Sequence, residues 1–487
     1  MAIPTAAREA FERLLGAAEV LTDPLALALY DRDASMIQGR TGLVLFPRSA
    51  EQVAGCLRIA ADHDLPVVPR GSGTGLAGGA TPIDGAVVIA TVKMTRVLQV
   101  RPDDRLAWVE PGVLNLDLSN RLRPLGYVFA PDPSSQQTST VGGNVATNAG
   151  GPHCLGYGIT SGHVLAVELV LPDGTAVRLG AEAPEAPGYD LRGLVVGSEG
   201  MLGVVTAVCV RLTPLAPAVR TLLLGFASVP DAAGTVAGVI AAGVVPAAME
   251  LLDANGIAAV EPYAHAGYPT DAAAALLVEV DGLPGGVAAE AAAVERVARE
   301  HHVTSVRVAA DERERAALWK GRKSIAGAIS RLAPHYYLHD TVVPRRRMAE
   351  VLVAINRLVA EHDLTVVNVF HAGDGNLHPL LVFDRRVDGM LQRVLEVSEQ
   401  IVRLCLEAGG SLSGEHGIGL EKRDLMPLQF SPDDLAAQDC VRGAFDPQRR
   451  MNPNKVLPAG ARCGEFALPR SGDLAAAVER LPEGSWI

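Results

Sequence analysis

What the chain lacks narrows its function first. Its six cysteines, at positions 56, 154, 209, 405, 440 and 463, show no C-x-x-C pair and no cluster spacing. Iron–sulfur centres need grouped thiolates, so the sequence predicts none here, and scattered free thiols suit a reducing cytoplasm. No run approaches 18 apolar residues without a charge or a breaker, so no membrane-spanning segment is expected. The N-terminus, Met1-Ala2-Ile3-Pro4 followed by Arg8, Glu9, Glu12 and Arg13, reads as an amphipathic helix rather than a signal peptide. Basic blocks are also missing. With 43 Lys+Arg against 55 Asp+Glu the net charge is −12, and Arg345-Arg346-Arg347 alone interrupts the pattern. That triplet reads as a solvated face at the approach to a helix, and nucleic acid is excluded as a partner.

What is present is enough chain for two or three cores: 487 residues, 48% of them apolar, a composition that predicts a soluble, well-packed protein. The densest chemistry lies in Phe370-His371-Ala372-Gly373-Asp374-Gly375-Asn376-Leu377-His378-Pro379 and in Ser413-Gly414-Glu415-His416-Gly417. Thr365 to Phe370 is β-branched and apolar and reads as a strand, Gly373 to Asn376 has turn chemistry, and Leu377 to Phe383 reads as the returning strand. His371 and His378 would flank one hairpin, and Glu415 arrives after a glycine-rich run that lets backbone approach closely. Two imidazoles and a carboxylate suit a borderline divalent cation, zinc first, with manganese and iron as alternatives, leaving positions open for substrate. His416 then sits beside the ion as a general base. The competing reading of the same residues is a polar hydrogen-bond network without metal.

Glycine-rich segments dominate the first 210 residues. A short strand, Leu65 to Pro69, runs into Arg70-Gly71-Ser72-Gly73-Thr74-Gly75-Leu76-Ala77-Gly78-Gly79, whose successive N–H groups can turn toward a phosphate. Gly73, Gly75 and Gly78 match G-x-G-x-x-G, yet Gly79, Pro82 and Gly85 follow at once and the next strand, Ala86 to Ala90, starts too soon for a helix. No acidic residue stands roughly 20 positions on, so a nicotinamide-type Rossmann site is rejected. Pro131-Asp132-Pro133-Ser134-Ser135 leads into a run of small and hydroxyl residues from Thr138 to Gly151, which suggests chain lying along a large ligand rather than packing a core. Gly197 to Thr206 adds a further element of this kind.

Taken in order from about Leu21 to Pro458, these motifs, with Trp319-Lys320-Gly321-Arg322-Lys323-Ser324 and Asn452-Pro453-Asn454-Lys455, resemble the FAD-linked oxidase family of vanillyl-alcohol-oxidase-type flavoproteins. Within it the resemblance is to the D-2-hydroxyacid dehydrogenase branch, the glycolate oxidase FAD-binding catalytic subunits and D-lactate dehydrogenases. It implies an α+β fold: a two-part FAD-binding domain plus an α+β cap with an antiparallel sheet. It implies that Pro69, Arg70, Gly71, Ser72, Gly73, Thr74 and Gly75 cradle the FAD pyrophosphate. Pro131, Ser134, Thr138, Thr140, Gly142, Gly143, Thr147 and Asn148 would line the flavin and ribityl chain, and Glu199, Gly203, Val205 and Asn452 complete the cofactor site on the adenine side and the closing segment. The same resemblance makes His371, His378 and Glu415 the metal ligands with Asn376 nearby, His416 the catalytic base, and Arg322 the grip on the substrate carboxylate. Ala326 and Leu338 stand where the 2-hydroxyglutarate branch has polar residues for a distal carboxylate, which favours a small monoacid. Cys154 beside His153 invites a covalent flavin link, but the pattern is shared with non-covalent members and non-covalent FAD is expected.

The chemistry follows from protonation costs. A 2-hydroxy acid must lose its hydroxyl proton and a hydride from the same carbon, and ionising an alcohol with a pKa near that of water costs roughly 11 kcal/mol at pH 7. A neutral histidine does not supply that alone; a cation chelating hydroxyl and carboxylate lowers it. The expected activity is FAD-dependent, metal-assisted oxidation of glycolate or D-lactate, with electrons passed to a quinone, a cytochrome or an iron–sulfur partner subunit, either as a homodimer or in a hetero-oligomeric complex. The expected location is the cytoplasm, peripheral at the inner membrane where such an acceptor requires it. Alternatives are a same-fold dehydrogenase for a larger acid such as D-2-hydroxyglutarate and, from another class, a metal-dependent hydrolase. The expected domains are 1–217 for FAD, with a boundary at the proline-rich Thr213 to Pro217, 218–424 for the cap with the metal site, and 425–487 returning to the FAD domain.

Overall fold

The computed structural model describes residues 3–183 and 188–458. Cys463 and residues 459–487 of the expected C-terminal segment lie outside the described residues. The described residues fall into two compact units: residues 3–150, 158–183, 188–215 and 415–458 form one, and residues 151–157 and 216–414 the other. The return to the first unit thus comes at 415 rather than the expected 425. The reason is local, because the N–H groups of Ile418 and Gly419 donate to the Glu199 carboxylate at 2.7 and 2.9 Å and that of Leu420 to the Ala77 carbonyl at 2.8 Å.

The first unit contains two principal sheets. In one, Thr41–Leu45, Ala86–Ala90 and Val67–Arg70 are parallel, with Val20–Leu21 antiparallel at the edge. Leu43, Val44 and Leu45 are all buried although their side chains alternate faces, which is why this strand reads as an unbroken apolar run. Phe11 of the helix Thr5–Leu15 and Val53 and Leu57 of the helix Ala50–Asp62 pack against one face. Ser49 fixes the start of the latter, its hydroxyl accepting the Gln52 N–H at 3.3 Å. No helix follows Arg70: the glycine loop leads directly to Ala86–Ala90, as the rejection of a Rossmann turn requires.

The other sheet is antiparallel, in the order Val97–Arg101, Leu106–Val109, Val204–Arg211, Val164–Val170, Ala176–Gly180. The strand Leu106–Val109 ends shortly before Pro111, which cannot continue a ladder. The small-residue run is also more ordered than expected. Val141–Thr147 is a helix capped by the Thr140 hydroxyl, and Val141 and Val145 join the core, so this stretch packs as well as lying open.

The second unit is built on an antiparallel sheet in the order Val303–Val308, Ala218–Phe226, Ala274–Gly282, Ala248–Asp253, Thr365–His371, Asn376–Leu377, Thr341–Val342, with His335–Leu338 and Pro379–Phe383 pairing alongside. Leu222 and Leu224 face one side and Leu223 the other, all nearly inaccessible, so both faces are covered. Trp319, Leu318 and Val260 cover the Leu223 side. Helices the sequence reading does not place here include Ala254–Ala264, Met390–Glu407 and Glu312–Lys323, whose charged composition masks its buried stripe.

Candidate active site

His371 ends the strand Thr365–His371 and pairs across the hairpin with Asn376, while His378 precedes Pro379–Phe383. The turn packs so closely on the segment at Val343 that a Cβ on Gly375, at φ +74°, would overlap the Val343 carbonyl. Both imidazoles are buried and lie edge to face, ring centroids 5.0 Å apart. His371 Nδ1 lies 2.7 Å from Glu250 Oε1, and His378 Nδ1 lies 3.0 Å from the His339 carbonyl oxygen. An acceptor on Nδ1 places the proton there and leaves Nε2 as a ligand, the arrangement that orients metal-binding histidines.

Glu415 follows directly on Gly414, whose N–H donates to the buried Asp340 carboxylate at 3.0 and 3.1 Å, while the Ser413 hydroxyl donates to Asp340 Oδ2 at 2.6 Å. A Cβ on Gly414 would stand 2.5 Å from the Asn376 amide, so this approach requires glycine. Ligand atoms of His371, His378 and Glu415 all lie within 4.8 Å of one another, and so do those of Asp340, His378 and His416. Nitrogen and oxygen ligands about 2 Å from a shared ion stand at comparable separations, so the first set fits a divalent cation of the zinc type. In the second set Asp340 is already engaged with Ser413 and Gly414.

Arg322, in the last turn of the helix Glu312–Lys323, is 3% exposed and sets a terminal nitrogen 2.6 Å from Glu250 Oε2. Its Nε, like the Asn376 side-chain oxygen, is buried without a protein partner. Leu338 packs on the apolar cluster around Trp319, and Ala326 is exposed. Sequence reasoning missed Glu250, Asp340 and His339. The signal for Glu250 was a charge in the interior of the strand Ala248–Asp253, between Met249 and Leu251.

The cofactor candidates of the first unit fall into two groups. Pro69 and Arg70 end a strand, and from Ser72 to Leu76 no backbone N–H donates to another group among the described residues, a run of five donors that can turn toward an anion. Gly73 sits at φ +77°, and a Cβ on Gly71 would overlap Thr140 Oγ1 and stand 3.8 Å from Gly143 Cα, which brings the start of the loop against the start of the helix Val141–Thr147. Arg70 is buried, its guanidinium 3.2 Å from the Ala80 carbonyl and over the Tyr30 ring. Neither amide atom of buried Asn144 has a protein partner. A row of free amides with orphaned polar atoms nearby fits a large phosphate-bearing cofactor. Ser134 and Thr138 are exposed, Pro131 is buried with its carbonyl accepting from Asn115, Thr147 donates back to Gly143, and Asn148 closes the helix at φ +53°.

The second group makes contacts within the protein. Glu199, expected on the adenine side, turns both carboxylate oxygens onto Ile418 and Gly419, and burial pushes its pKa up to about 7 against the pull of those bonds. Asn452 donates to the Gly79 and Glu199 carbonyls at 2.9 and 2.6 Å. Gly203 permits close approach to the Val170 carbonyl, and Val205 pairs with Leu169 in the sheet. Cys154 opens a short helix, Cys154–Tyr157, in the second unit, where His153 stacks on Trp319 and reaches Glu279 at 3.2 Å.

A two-sheet unit with an amide-rich glycine loop, together with a sheet-and-helix unit carrying a buried imidazole pair, fits the build of a two-part flavin-dependent oxidoreductase. Family comparison agrees: residues 41–180 match the FAD binding domain and residues 215–456 the FAD linked oxidases, C-terminal domain. The chain belongs to the FAD-linked oxidase family. It is 44% identical over 449 residues to the glycolate oxidase subunit GlcD of Escherichia coli (strain K12), covering 92% of this chain and 90% of that protein. It is 32% identical over 436 residues to a D-lactate dehydrogenase of Anaerostipes hadrus, covering 88% and 92%. A substrate-bound structure of p-cresol methylhydroxylase shares the fold, with a TM-score of 0.80 at 16% identity over 95% of this chain and 98% of that one. With FAD as cofactor, the hydrolase alternative falls away.

Proposed function

We propose that this protein oxidises a small D-2-hydroxy acid, glycolate or D-lactate, to the 2-oxo acid, using non-covalent FAD and a divalent cation, zinc first. The observation that carries the reading is the convergence of His371, His378 and Glu415, each imidazole anchored at Nδ1, in the same neighbourhood as a buried arginine. When bound, FAD supplies a hydride acceptor and the cation supplies Lewis acidity toward the substrate hydroxyl. His371, His378 and Glu415 hold the cation. His416 accepts the hydroxyl proton, and Arg322 pairs with the substrate carboxylate and fixes its orientation. Ser72 to Leu76 offer their N–H groups to the pyrophosphate, and Thr140 through Asn148 border the flavin. The relatives named above as glycolate oxidase subunit and D-lactate dehydrogenase support this substrate class. Leu338 and Ala326 offer no charge to a distal carboxylate, which favours a monoacid over 2-hydroxyglutarate.

Electrons then leave for a non-NAD acceptor, a quinone, a cytochrome or an iron–sulfur partner subunit. Among the described residues Cys56, Cys154, Cys209, Cys405 and Cys440 form no disulfide. Among the described residues no helix is long and apolar enough to cross a membrane, and the proposed location is cytoplasmic with peripheral contact to a membrane-bound acceptor. The test is the visible spectrum of the anaerobic protein before and after glycolate, D-lactate or L-lactate. Bleaching of the flavin bands by glycolate or D-lactate is the expected result; flavin that stays oxidised with all three refutes the substrate assignment.

A further inference from the structure

Glu250 is 0% exposed, in the middle of the strand Ala248–Asp253. A carboxylate removed from water is tolerated only where cations and donors take its oxygens. Here the two oxygens are divided: Oε1 lies 2.7 Å from His371 Nδ1 and Oε2 lies 2.6 Å from the Arg322 guanidinium. Antiparallel register sets Glu250 directly opposite His371, so the first contact is fixed by backbone pairing. Arg322 reaches it from the helix Glu312–Lys323 and keeps its Nε without a protein partner.

We propose that Glu250 is a positioning residue that ties the arginine for the substrate carboxylate to the metal-binding histidine, so that cation and substrate are registered to one anchor. The inference rests on the function proposed above, in which Arg322 meets the substrate and His371 the cation. Holding Nδ1–H on a full carboxylate directs His371 Nε2 outward and strengthens it as a donor to the ion. The same charge holds one edge of Arg322 in place and leaves its other edge for a ligand. Loss of Glu250 therefore weakens cation binding and substrate binding together, whereas a buried ion pair that merely supports the sheet would lower stability alone.

The strand carries its own control. Asp253, also buried, accepts hydrogen bonds from the Gly256 N–H and from the N–H and side chain of Asn368. The experiment uses the full chain with FAD bound, stripped of metal, titrated with zinc against a chromophoric chelator, and then assayed for kcat and KM with glycolate and D-lactate. Glu250→Gln should weaken zinc binding about 10- to 100-fold and raise KM about tenfold, with FAD content unchanged. Asp253→Asn should leave zinc affinity within about twofold. Glu250→Asp keeps the charge on a shorter stem that cannot span both partners, so it should fall between wild type and Gln, and it carries the test if the Gln variant does not accumulate folded. Zinc affinity unchanged in both Glu250 variants, or lost equally in Asp253→Asn, overturns the inference while leaving the parent function standing. A wild-type protein that binds no zinc and whose flavin is not reduced by either acid overturns both.

Discussion

In the first unit the loop from Ser72 to Leu76 presents five backbone N–H groups and little side-chain chemistry, whereas the second unit presents imidazoles and a guanidinium and spends buried carboxylates on holding them. A phosphate can be gripped by any chain bent the right way, and that demands glycine rather than particular side chains. A metal and a chiral hydroxy acid demand particular atoms at particular distances, which demands a second layer of support. Damage to the first region should therefore act through cofactor content, and damage to the second through chemistry at full cofactor content.

The largest separation is expected from His416→Asn. Reduction of the flavin by glycolate or D-lactate should slow about 10²- to 10⁴-fold, the range for losing a general base, while the flavin spectrum before substrate is unchanged. Stopped-flow reduction measures it, and turnover at the wild-type rate removes His416 from its role. Gly71→Ala is the converse. Its Cβ would overlap Thr140 Oγ1, and a clash of this kind costs about 1–3 kcal/mol, so FAD content should fall while zinc content holds. If FAD and zinc fall together, the two regions are not energetically separate.

Thr140→Ala should act more gently. It removes the hydroxyl that caps the helix Val141–Thr147 and should cost about 1 kcal/mol in denaturant unfolding, with weaker FAD retention. Smallest is a pH effect at Lys455, whose burial lowers its pKa to about 7 from the ordinary 10.5. Between those values the unfolded chain binds the extra proton, so this group makes stability rise with pH from about 7 to 10.5. The melting temperature of wild type relative to Lys455→Met should accordingly increase across that window, and a flat difference would show that the amine stays charged when folded.

The histidine hairpin and the glycine loop were legible because each is written in neighbouring residues. Turn glycines, β-branched runs and a seven-residue His spacing need no distant partner to be recognised. The helix Glu312–Lys323 was not legible, since Leu318, Trp319 and Arg322 are its buried side and only the sheet beneath reveals them. Glu199 sits in a glycine-rich motif, and the partners its carboxylate has within the chain lie more than two hundred residues on, at Ile418 and Gly419, which no local pattern announces.

By itself the sequence determined which atoms are available for chemistry: His371, His378, Glu415, His416, Arg322 and an amide-rich loop with no Rossmann helix. Tertiary structure alone decided how two of them are held. Glu250 stands 121 positions from His371 and is brought opposite it by strand register, and Asp340 stands 73 positions from Ser413 and pins the loop that carries Glu415. Ladder pairing between strands remote in the chain sets those contacts, and it depends on which strands become neighbours rather than on any local pattern.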